Sequence, residues 1–154
     1  ATDLLKASND KNRKVVEEIR DLLRKSKKLA DELVERLRAL VEDLRRRIDK
    51  SGDKETAEDI VRRIIEELKR ILKEIEDLAR RINREIERLV EEVERDNRDV
   101  NRKAGDEEAR RRAEESMRRV KEDADRVSEA NKEVLDRVRE EVKRLIEEVR
   151  ETLR

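Results

Sequence analysis

Residues 49–56 read Asp49-Lys50-Ser51-Gly52-Asp53-Lys54-Glu55-Thr56, and residues 102–108 read Arg102-Lys103-Ala104-Gly105-Asp106-Glu107-Glu108. These two stretches hold the only 2 glycines of the chain, and each glycine is followed by aspartate. The pairing has a mechanism. Glycine takes the left-handed conformation that closes one helix. Aspartate then accepts backbone N–H bonds at the start of the next. Each stretch therefore reads as the end of one helix set against the cap of another. Connections this short force consecutive helices to run antiparallel.

Working outward, the glycines cut the 154 residues into nearly equal pieces. The predicted helices span about 3–50, 54–103 and 107–154. Each has about 48 residues and a length of roughly 70 Å at ~1.5 Å per residue. Thr2 or Asp3 is placed to cap the first, and Glu107 and Glu108 fall in the first turn of the third, where the macrodipole favours acids. No proline interrupts any of them. The expected fold is all-α: one domain over 1–154, an antiparallel up-down-up coiled-coil bundle of three long helices.

The apolar residues recur at spacings of three and four, as a heptad seam requires. The first helix carries Leu5, Val15, Ile19, Leu22, Leu29, Leu33, Leu40 and Leu44. The second carries Val61, Ile64, Leu68, Ile71, Ile75, Leu78, Ile82, Leu89 and Val93. The third carries Ala113, Met117, Val120, Ala124, Val127, Val134, Val138, Leu145 and Val149. Beside the first of these stripes lies a second: Val16, Leu23, Ala30, Leu37, with Val34, Val41 and Ile48. Such an extra stripe either closes a three-helix core as the helices drift against the heptad or flanks a groove for a fourth helix. Opposite faces hold acid-to-arginine pairs four residues apart: Glu32–Arg36, Asp43–Arg47, Glu76–Arg80, Glu114–Arg118 and Glu140–Arg144. Each stabilises an isolated helix by only ~0.2–0.5 kcal/mol.

Composition limits the chemistry. Charged residues make up 56% of the chain, yet 43 basic residues balance 43 acidic ones. That balance argues against a polyanion-binding face. Arg45-Arg46-Arg47 and Arg110-Arg111-Arg112 are basic runs, but three consecutive residues fan around a helix, and no aromatic is present for base stacking. With neither histidine nor cysteine in the chain, a bundle di-iron site and the usual nucleophile–base pairs lack their residues. No catalytic residue, cofactor, metal ligand or small-molecule substrate is expected, and no enzyme. No apolar run approaches the length of a membrane span, and interfacial Trp and Phe anchors are absent. The expectation is a soluble protein without a natural compartment, cytoplasmic when expressed recombinantly.

What stands out is the set of polar residues in phase with the apolar stripes. Asn12 and Ser26 extend the line of Leu5, Ile19 and Leu33. Asn83 and Asn97 share a phase with Val90. Asn131 follows Met117 and Ala124, Ser128 precedes Leu135 and Val142, and Ser116 adjoins the seam. In an antiparallel register, residue i of the first helix faces roughly 104 − i of the second and lies level with roughly i + 104 of the third. The polar residues then group into two layers. One contains Ser26, Asn83, Ser128 and Asn131. The other contains Asn12, Asn97 and Ser116, with Ser8, Asn9 and Asn101 within a turn or two. A buried unpaired amide or hydroxyl costs ~1–3 kcal/mol, so such layers persist by bonding within themselves. Buried polar pairs of this kind fix register and partner.

The reduced alphabet, equal helices, repeated Gly-Asp turns and layered Asn and Ser together resemble de novo designed helical bundles with buried hydrogen-bond networks. The resemblance covers the whole chain. In that family the network polars are the functional residues, which carries that role to Asn12, Ser26, Asn83, Asn97, Ser116, Ser128 and Asn131. The family includes self-contained bundles, homo-oligomers, and heterodimers split as three helices plus one. The resemblance thus implies a structural or interaction module, completed to four helices by a designed partner helix or by another copy of itself. The alternative is a monomeric three-helix scaffold without a partner.

Overall fold

The computed structural model describes residues 2–52, 54–103 and 105–153, with the side chains of 2, 4, 51, 54 and 55 left aside. Three helices account for nearly all of it: α1 (Thr2–Ser51), α2 (Lys54–Lys103) and α3 (Glu107–Glu151). The bounds lie within a residue or two of expectation, except at the end of α3. There the last turn tightens, with Thr152 N–H bonding Val149 O at 3.2 Å and Leu153 N–H bonding Arg150 O at 3.2 Å. The Thr152 hydroxyl also donates to Val149 O at 2.5 Å. A threonine whose hydroxyl bonds back to a carbonyl of the last turn is a local stop signal.

The twin turns differ. Gly52 has φ +63°, the left-handed closure its sequence predicts. Gly105 does not share it, because Gly52 is the only glycine at positive φ among the described residues. The cap expected of Asp53 lies outside the described residues. Asp106 does cap α3: its Oδ1 accepts the Ala109 N–H at 2.6 Å, and its backbone oxygen accepts Arg110 N–H at 3.4 Å.

The chain divides into two compact units, each built from a segment of all three helices. The first comprises Ala1–Lys25 and Arg80–Asn131, and the second Ser26–Ala79 and Lys132–Arg154. In the second unit one cluster joins Ala30, Leu37, Val41 and Leu44 of α1, Val61 and Leu68 of α2, and Val134, Val138, Val142, Leu145 and Val149 of α3. The first unit has two smaller clusters. One joins Val15, Ile19, Ile86, Leu89, Val93, Val120, Ala124 and Val127. The other is Leu5, Val100 and Ala113, with Ala109 against them.

Burial corrects the expected α1 stripe. Leu5, Val15, Ile19 and Leu44 are buried, but Leu29 and Leu40 are 51% and 37% exposed, and Leu78 of α2 is 38% exposed. In the second unit the neighbouring stripe is inside instead: Ala30, Leu37 and Val41 are 5%, 2% and 2% exposed. The cause is geometric. A helix of ~3.6 residues per turn drifts about 20° per heptad against a strict seven-residue repeat. The drift between Ile19 and Val41 is enough to bring the adjacent stripe to the core.

Candidate helix-pairing site

The polar layer of the first unit is held by three bonds. The Ser8 hydroxyl donates to Asn97 Oδ1 at 3.3 Å. Asn97 Nδ2 donates to the Ala113 backbone oxygen at 2.7 Å. Asn12 Nδ2 donates to Ser116 Oγ at 2.7 Å. Asn12 and Asn97 are 3% and 4% exposed, so these bonds form out of water, where an unmade bond costs most. Together they tie α1 to α2, α2 to α3 and α1 to α3. Ser8, expected within a turn or two of this layer, belongs to it, while the Ala113 carbonyl was not singled out from sequence. Ser8 had a usable signal, since it lies in heptad phase with Val15, Leu22 and Leu29. The carbonyl had none.

Asn9 and Asn101 are half-buried, and their Oδ1 atoms are enclosed without a partner among the described residues. Each lines an open groove, of about 410 Å³ for Asn9 and about 420 Å³ for Asn101. Such polar grooves have room for water, the usual partner of enclosed amides.

Of the other layer, Asn131 is 2% exposed. Its Nδ2 donates to Asn83 Oδ1 at 3.4 Å, which links α3 to α2 within the first unit. Asn83 and Ser128 are half-buried in the same unit, while Ser26, also half-buried, belongs to the second.

Ion pairs fix which flank of each helix meets which neighbour. In the first unit Arg20 bonds Asp123 at 3.2 Å, and in the second Arg38 bonds Glu141 at 2.7 Å and Arg45 meets Glu148 at 3.6 Å. These α1–α3 partners lie 103 residues apart, which bears out the parallel register near i + 104 within each unit. Lys121–Glu94 at 3.0 Å and Arg139–Glu76 at 3.2 Å join α3 to α2. Lys11 pairs with Asp96, which joins α1 to α2 in the first unit. The hydrogen bond that Lys11 donates to Asp96 raises the Lys11 pKa. The hydrogen bond from Arg38, with that of Arg144, holds the Glu141 carboxyl below the ordinary carboxylate range. Of the expected i,i+4 pairs, Asp43–Arg47 forms at 3.3 Å. Glu76 turns to Arg139, Arg144 to Glu141, and neither Glu32–Arg36 nor Glu114–Arg118 bridges among the described residues.

The exposed leucines lie along the α1–α2 side of the second unit. On α1, Arg38 reaches α3, so the opposite flank, with Leu29, Leu33 and Leu40, turns to α2. On α2, Glu76 reaches α3, so the opposite flank, with Ile64, Ile71 and Leu78, turns to α1. The register from the Gly52 turn sets Leu29 level with Ile75, Leu33 with Ile71 and Leu40 with Ile64. Leu33, Ile64, Ile71 and Ile75 pack partly buried against the core beneath. Chemically the side offers apolar surface and nothing reactive. The described residues hold no group of three potential metal ligands, and none of their helices is long and apolar enough to cross a membrane.

No protein-family model matches the chain, and no curated protein matches it. Among solved structures it is similar to a computationally designed three helix bundle, at 17% identity and a TM-score of 0.51, over 99% of this chain and 85% of that one. The likeness is one of fold: three long helices packed against one another, as in each unit here.

Proposed function

We propose that this chain is a designed helix-pairing module, a three-helix scaffold whose α1–α2 face in the second unit receives a further amphipathic helix. The observation that carries the reading is the row of Leu29, Leu40 and Leu78, left 37–51% exposed above a half-buried second row. Full burial of a leucine is favourable by ~1.5–3 kcal/mol, so the row is a standing gain for any helix that covers it. The mode is helix-in-groove, with anchors at heptad spacing. The buried Asn and Ser layers serve as register devices in this reading and hold the three helices in one alignment for the fourth. The designed origin is supported by the reduced alphabet, the balanced charge and the likeness to a computationally designed bundle.

A second reading has its own support. Ile19, Leu68, Val93, Val138 and Val149 are all 0% exposed, so both units already possess closed cores. On that observation the chain is a self-contained scaffold. The two are separated by titrating the chain with a three-heptad helix bearing leucine at the a and d positions and mixed charges elsewhere. The helix-pairing reading expects binding and a rise in Tm. A Tm that ignores the added helix sinks it in favour of the scaffold.

A further inference from the structure

We propose that the helices covering this face come from a second copy of the chain, giving a symmetric dimer through the α1–α2 side of the second unit. The inference rests on the helix-pairing reading and names its partner. Among the described residues every segment already belongs to a helix or a turn, so none of them is left to fold over the exposed leucines. Two copies do not repel one another: 43 basic and 43 acidic residues leave a net charge of zero, the condition that favours self-association.

The arrangement of the exposed side chains specifies the symmetry. Leu29 at 51% and Leu78 at 38% stand on different helices, within one turn of the same level. A two-fold axis along the α1–α2 seam sets α1 of one copy against α2 of the other without changing level. It brings Leu29 to Leu78 of the second copy and repeats the contact reciprocally, as an isologous interface must. Leu40 meets Ile64 in the same way.

The rims agree with this axis. The α1 rim reads Glu32, Arg36, Asp43, Arg47, and the α2 rim reads Arg63, Glu67, Arg70, Glu74. Sign alternates along both, so Glu32, Arg36 and Asp43 of an α1 rim each come within a turn of an opposite charge on an α2 rim, Arg70, Glu67 and Arg63 in that order. Glu32 and Arg36 make no ion pair within the chain among the described residues, which leaves Arg36 to meet Glu67 of the second copy, a carboxylate that its own Arg70 already holds in place at the rim. Like-charge blocks, which would repel a second copy, do not occur on either rim.

Sedimentation equilibrium of the whole chain across micromolar to millimolar concentration tests the proposal. The expected result is a mass rising from one chain to two. The double variant Leu29→Glu with Leu78→Glu alters exposed positions only, and circular dichroism checks its fold; it should weaken dimerisation at least tenfold. Charge reversal gives the sharper test. Arg36→Glu and Glu67→Arg should each weaken self-pairing several-fold, while an equimolar mixture of the two variants should restore it as a heterodimer, since both reciprocal contacts are then opposite in sign. A single-chain mass at every concentration overturns the proposal, as does a dimer indifferent to Leu29→Glu with Leu78→Glu. If the chain stays single yet binds the three-heptad helix, self-pairing is refuted and the helix-pairing reading stands.

Discussion

The two units are built from the same three helices, yet they are filled differently. The second buries Leu37, Leu44, Leu68 and Leu145 among valines in one cluster. The first buries Ile19, Ile86 and Leu89 among valines in a shorter cluster, then gives way towards Leu5 and Val100 to Asn12, Asn97 and Ser8. The apolar unit gains more from burial per residue, but leucines and valines tolerate repacking and do not define one alignment. The amide layer contributes little net energy, because its bonds replace bonds to water. Its effect lies in the cost of alternatives: a shifted helix strands Asn97 or Asn12 in the interior. Stability is thus concentrated in one unit and alignment in the other.

The contrast can be broken most directly at the cores. Leu68→Ala in the second unit should cost ~2–5 kcal/mol in urea denaturation, as fully buried leucines do. Leu5→Ala, in the small cluster of the first, should cost clearly less. Equal costs would remove the distinction. Next in size, Asn97→Ala leaves the Ser8 hydroxyl without its acceptor and removes the side-chain bond to the Ala113 carbonyl, which keeps its own helical partner; it should cost ~1–3 kcal/mol. The loss should appear as faster amide exchange around Val100 and Ala113. A double-mutant cycle of Asn97→Ala with Ser8→Ala should be non-additive by ~0.5 kcal/mol or more, since the two share a bond; additivity would deny the layer.

The turns provide a smaller test, one in each unit. Gly52→Ala forces a side chain into the left-handed region and should cost ~1–2 kcal/mol in thermal melts. Gly105→Ala meets nothing within 4 Å and carries no such strain. It should be neutral or raise stability by up to ~1 kcal/mol.

The smallest effect is that of pH. Glu141 in the second unit is held below its ordinary value of 4.5. Its contribution is therefore complete above that value and is lost as pH falls through the lower folded one. Lys11 in the first unit is raised above 10.5, so its contribution is complete below that value and lost as pH rises through the higher folded one. With no histidine or cysteine to titrate between them, stability followed by circular dichroism should be flat through neutrality. Glu141→Gln should blunt the acid limb, and Lys11→Met the alkaline one. A transition near neutral pH would contradict this assignment.

How much of this was legible from residues alone varies by place. Asn12, Asn97 and Asn131 stand in phase with the apolar stripes, and each is within 4% of full burial. Ser8 was equally legible by phase. The Ala113 carbonyl was not, because every residue carries one and only close helix approach selects it. Leu29 and Leu40 read as core from their spacing and are exposed. Over a single heptad the period is informative, but over the length of α1 the mismatch between 3.6 and 3.5 residues per turn accumulates until the neighbouring stripe replaces them.

Signals that act within a few residues were sufficient for three helices, their ends at Gly52 and Gly105, their antiparallel order and the absence of reactive side chains. Helix periodicity, capping and side-chain chemistry are local properties, so the amino-acid sequence carries them unaided. Which stripe fills each unit, why Gly52 alone among the described glycines is left-handed, and which oxygen satisfies Asn97 were settled by the folded chain. Each depends on rotation and distance between helices, quantities summed over dozens of residues, to which no single position in the sequence corresponds.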